Sequence, residues 1–158
     1  MGVDQAGDGE GAPAVDDLYV SLEGRRFGRL AHYTLHWHDA GPHGLTDFVA
    51  RTVSLRRGLD QAQRRSTIMH ETLHAERGPV PMGLAAKEEV KVRKESARTL
   101  LPCIVTVGDA LVWAQGHVEP AAEELWVDLL TLTDRLRFCS AGEREYLLRR
   151  LHEEAPPA

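Results

Sequence analysis

The first seventeen residues, MGVDQAGDGEGAPAVDD, are mostly Gly, Ala and acidic groups with almost no large apolar side chain. They cannot bury enough surface to offset the entropy of ordering, so 1–17 reads as a disordered tail. From Tyr19 large apolar groups recur, and a short helix or strand is expected before Ala31. Two extended segments follow, 32–38 and 47–56. In the second, Phe48, Val49, Val53 and Leu55 stand among polar residues, and Val53 and Leu55, two apart, share a face. The intervening Asp39-Ala40-Gly41-Pro42-His43-Gly44 reads as a turn.

Helical signals then take over. Asp60 can cap free backbone amides, and Gln63 occupies the reciprocal capping-box position, so a helix is expected from there to about Arg77. Gly78 suits a left-handed terminus, and Pro79 and Pro81 prevent continuation. A second helix from Ala85 to about Leu101 is indicated by good helix formers and by Val92, Ser96 and Leu100 recurring on one face before Pro102. Shorter helices are expected over 106–115, 119–126, 130–138 and 141–152.

Composition narrows the function classes. The 158 residues suffice for one domain with at most a small helical appendage, and 42% hydrophobic with 27% charged residues is ordinary for a globular chain. A net charge of −5 argues against a general nucleic-acid binder, which needs a basic surplus to neutralise phosphates. Cys103 and Cys139 are too far apart and too few for a disulfide framework or a cysteine-based zinc site. The start lacks the basic and apolar regions of a secretory signal, Ala6 departs from a myristoylation motif, and no run approaches the roughly 18 apolar residues that span a bilayer. The expectation is a cytoplasmic protein without a membrane partner.

The candidate chemistry lies in His70-Glu71-Thr72-Leu73-His74. Residues four apart on a helix lie one above the other, so His70 and His74 can direct imidazole nitrogens at one Zn2+ ion. Glu71, about 100° round the helix from His70, can act as general base on a metal-activated water. A catalytic site of this kind needs a third protein ligand. The metzincin pattern is excluded, because Arg77 and Val80 stand where it requires Gly and His. A carboxylate from the second helix is the alternative. Glu89 shares the expected buried face with Val92, Ser96 and Leu100 and is taken as the ligand; Glu88 competes if the helix is rotated by one residue.

The stretch RRSTIMHETLHAERG followed by EEVKVRKESARTLLP resembles the ImmA/IrrE family of zinc metallopeptidases, and the likeness extends over about residues 45 to 150. In that family the helix after HExxH opens on a ligand glutamate and closes on an apolar-Pro pair, a pattern matched here by Glu89, Val92, Ser96, Thr99, Leu101 and Pro102. EELWVDLLTLTDRLRFCS is similar to the family's later segment. Arg93 departs from it, standing where Asp or Asn usually helps orient a zinc-binding histidine. The resemblance implies an α+β fold with a small, mostly antiparallel sheet beside the HExxH helix and the glutamate-ligand helix. It implies a minimal metallopeptidase core over 18–104 and a C-terminal helical subdomain over 105–158. It also implies an endopeptidase whose protein substrate is a phage, mobile-element or stress-response repressor.

Other readings compete. The segment 121–138 has the proportions of a helix-turn-helix with Arg135 and Arg137, but Glu123, Glu124, Asp128 and Asp134 oppose phosphate contact and disfavour DNA binding. Arg93 supports a zinc-binding regulator that binds a repressor with little or no catalysis. His36 and His38 share a strand face and are expected to be partly exposed, while His32, Tyr33, His36 or His38 could reach the cleft and stabilise an oxyanion. Trp113 and Trp126 are expected to pack in the helical part, and Arg149-Arg150 to form a solvated helix end.

Overall fold

The computed structural model describes Leu30 and residues 32–153. The expected 1–17 tail and the element before Ala31 fall outside these residues. Three short strands, β1 (Thr34–His38), β2 (Gly44–Asp47) and β3 (Thr52–Arg56), form a sheet in the order β1-β3-β2. Val53 and Leu55 of β3 are buried on one face, as their alternation requires.

The sheet is mixed, which corrects the expectation of a mostly antiparallel one. β2 runs antiparallel to β3, with Leu45 opposite Ser54, whereas β1 runs parallel to it, with Leu35 opposite Val53. The chain crosses from β1 to the far edge, forms β2, and returns through the middle as β3. The segment 47–56 is also not one strand. Asp47 accepts hydrogen bonds from the backbone of Val49 (2.9 Å) and Ala50 (2.8 Å), making a local turn that leaves Val49 97% exposed.

Helix α1 (Gln61–Arg77) starts at the expected capping box: Asp60 accepts from the Gln63 backbone at 2.8 Å, and Gln63 accepts from the Asp60 backbone at 3.1 Å. It stops at Gly78, whose φ of 78° is open to glycine, although its ψ of 177° makes it extended instead of left-handed helical. A single 3₁₀ turn, Met82–Leu84, leads into α2 (Ala85–Leu100). Four shorter helices follow: α3 (Ile104–Trp113), α4 (Val118–Glu124), α5 (Leu129–Arg137) and α6 (Ala141–Glu153). The fold of the described residues is thus α+β and mostly helical.

Two regions of packing result. Val53, Leu55, Leu59 and Leu73 are buried where α1 crosses the sheet. The larger cluster joins Leu101, Val107, Leu111, Val127, Leu132 and Leu147 from the end of α2 through α6. Arg135 of α5, only 1% exposed, donates to the Leu101 carbonyl at 2.8 Å and pairs with Glu143, so a buried charge is fully engaged across this second region. Trp113 and Trp126, expected to pack inside, are 64% and 60% exposed; one ends α3, and the other sits at positive φ in the α4–α5 turn. Among the described residues no helix is long and apolar enough to cross a membrane.

Candidate metal centre

The buried residues of α1 are Ser66, Thr67, Glu71, Thr72 and Leu73, a mostly polar set. Buried polar groups need partners, and Ser66, Thr72 and Glu71 have them. Ser66 accepts from the Asp128 backbone at 3.0 Å, Thr72 donates to the Ile68 carbonyl at 2.7 Å, and Glu71 accepts from the Thr46 hydroxyl at 2.8 Å. Two of these bonds, from Thr46 of β2 and from the Asp128 amide before α5, tie the helix to its neighbours.

On the same helix His70 and His74 lie one turn apart, and α2 brings Glu89 to them. His74 Nε2 is 3.1 Å from His70 Nε2 and 3.1 Å from Glu89 Oε2, and His70 Nε2 is 3.4 Å from Glu89 Oε1. Ligands on a tetrahedral zinc, with bonds of about 2.0–2.1 Å, stand about 3.3–3.4 Å apart, and the separations here are near that size, each histidine meeting its own oxygen of Glu89. The His-His-Glu group could hold a metal ion. Glu89 remains 45% exposed, so it stands at the edge of α2's buried face and not within it as its offsets from Val92, Ser96 and Leu100 suggested.

Glu88 is turned elsewhere. Its carboxylate pairs with Arg77 and lies 3.6 Å from Lys91, and the Arg77 guanidinium holds it below the usual carboxylate range. At the metal group, hydrogen bonds from His70 and His74 hold Glu89 well below that range, and the bond to Glu89 raises His74. Glu71 is pushed up by burial, partly opposed by its hydrogen bond from Thr46.

A cleft of about 300 Å³ runs past His70, Glu71 and Glu89. One side is lined by Pro42, His43 and Gly44 at the start of β2, the floor by His70, Glu71 and Glu89, and the other side by Arg93, Leu130 and Asp134. Arg93, one turn beyond Glu89, makes a two-pronged pair with the buried Asp134: Nε and Nη2 each lie 2.7 Å from a carboxylate oxygen. Farther round α2 a larger open groove is lined by Arg77, Lys91, Lys94 and Arg98, but His70, His74 and Glu71 do not border it.

Of the candidate residues, His70, Glu71, His74 and Glu89 are brought together. His32, Tyr33, His36 and His38 do not line the cleft; His38 Nε2 contacts the Pro42 carbonyl at 2.9 Å. His43, read as part of a turn, lines it instead. Arg135 is buried and cannot serve as a phosphate contact. Sequence reasoning also missed Gly44, Thr46 and Asp134, for which the motif spacing carries no signal. Comparison with family models, curated proteins and solved structures found no significant match to this chain.

Proposed function

We propose that this protein is a zinc-dependent endopeptidase of the ImmA/IrrE type, cytoplasmic, whose substrate is a transcriptional repressor of a phage, mobile element or stress response. What carries the reading is the group of His70, His74 and Glu89 donors together with a buried Glu71, of which His70, Glu71 and Glu89 line one cleft. The histidines and Glu89 would hold the ion, which when bound polarises a peptide carbonyl and acidifies a water. Glu71 would accept a proton from the attacking water as the water oxygen bonds to the carbonyl carbon, and would deliver it to the nitrogen as the C–N bond breaks. β2 is an edge strand whose beginning borders the cleft, which suits an extended peptide paired main chain to main chain.

The decisive comparison is zinc-loaded wild type against Glu71→Gln, incubated with the repressor encoded beside its gene. Cleavage by the wild type alone, with both proteins retaining zinc, is the expected result. Equal cleavage by both would remove Glu71 from the mechanism. A second reading rests on Arg93, which binds Asp134 and leaves the histidines without the support that Asp or Asn would give. On it the protein binds the repressor without cutting it, and complex formation without products would favour that alternative.

A further inference from the structure

A general base works only if its carboxylate is held within reach of the proton it takes. Glu71 lies on a helix, and a free glutamate side chain has several rotamers to choose among. β2 removes that freedom at two positions on one of its faces, Gly44 and Thr46. The Thr46 hydroxyl, which has one proton to give, lies 2.8 Å from Glu71 Oε2, with the Glu71 carbonyl a longer 3.2 Å away, so the bond falls mainly on the tip of the side chain. Gly44 supplies the room: a Cβ there would sit 2.6 Å from Glu71 Cγ, 2.7 Å from its Oε1 and 2.6 Å from Thr67 Cγ2. Its φ lies outside the positive range, so closeness to α1, and not backbone conformation, is what excludes a side chain.

We infer that Gly44 and Thr46 are positioning residues that set the direction of the Glu71 carboxylate, Thr46 by gripping Oε2 and Gly44 by letting the strand approach. Oε2 is engaged by Thr46 and Oε1 lies against Gly44, so both oxygens are located by β2. β2 thereby serves the site twice, since the strand that orients the base also borders the cleft at Gly44. The inference rests on the reading of Glu71 as base.

The test uses full-length zinc-loaded protein, with a library of fluorescence-quenched unstructured peptides as substrate. Thr46→Val keeps the shape and loses the donor, and should lower kcat by about 10- to 100-fold with little change in KM or zinc content. Thr46→Ser keeps the hydroxyl and should restore most of the loss. Independently of turnover, the carbon-13 carboxyl resonance of Glu71, identified by its absence in Glu71→Gln, should move in Thr46→Val and Gly44→Ala but not in Thr46→Ser. Equal losses in the Val and Ser variants, or an unmoved resonance in Thr46→Val, would overturn the inference. Wild-type protein that cleaves no peptide in the library would count against the peptidase reading, and the resonance would still decide whether Thr46 holds Glu71.

Discussion

Glu88 and Glu89 are neighbours in sequence with opposite surroundings. One is clasped between Arg77 and Lys91, and the other meets two imidazoles. Glu89→Ala removes one of three donors and should abolish stoichiometric zinc binding, whereas Glu88→Ala should bind zinc as the wild type does; elemental analysis of the dialysed proteins decides it. Loss of zinc in Glu88→Ala alone would place the ligand one residue earlier. The motif residues were legible because helical periodicity converts spacing into direction: His70 and His74 had to share a face. Glu89 was legible only to within one residue, since a 100° step separates it from Glu88. Thr46 and Gly44 were not legible at all, because their contacts with Glu71 bridge 25 and 27 residues and depend on the docking of a strand.

At the scale of elements, local chemistry and burial left different traces. α1 was delimited by its capping box and by Gly78, both features of adjacent residues. Asp60→Ala removes the acceptor for the Gln63 amide and should lower stability by about 1 kcal/mol in urea titration, with the metal site intact. β2 escaped detection because its side chains near α1 are Gly44 and Thr46, so it lacks the apolar alternation that marked β3. The four shorter helices were anticipated to within about two residues at each end, which is the ordinary uncertainty of helix boundaries. The parallel pairing of β1 with β3 was beyond sequence reasoning, since it follows from where β2 is placed.

At the scale of the molecule, polar links tie the site to the C-terminal helices. Arg65 donates to the Leu125 and Trp126 carbonyls, Ser66 accepts from the Asp128 backbone, and Arg93 pairs with Asp134, which is 4% exposed. Arg93→Ala would leave that carboxylate buried and unpaired, a loss of roughly 3 kcal/mol in denaturant titration, while replacing both residues with leucine should recover much of it. Acid stability has a separate anchor. Arg135 and the Ser140 amide lower the Glu143 carboxyl from 4.5 to about 2. The unfolded chain therefore binds a proton there at higher pH than the folded one. This contribution is complete above pH 4.5 and is lost as the pH falls towards 2. Melting temperatures over that interval should decline less steeply for Glu143→Gln than for the wild type.

The distribution of the cleft along the chain has a consequence for how the site comes into being. The three proposed donors lie between His70 and Glu89 on two successive helices, whereas the Leu130 and Asp134 wall arrives more than forty residues later. On a ribosome adding about 5–20 residues per second, the donors emerge seconds before that wall exists. An ion captured in this interval would brace the α1–α2 hairpin as a folding nucleus, so refolding begun with zinc present should outpace refolding to which zinc is added at the end.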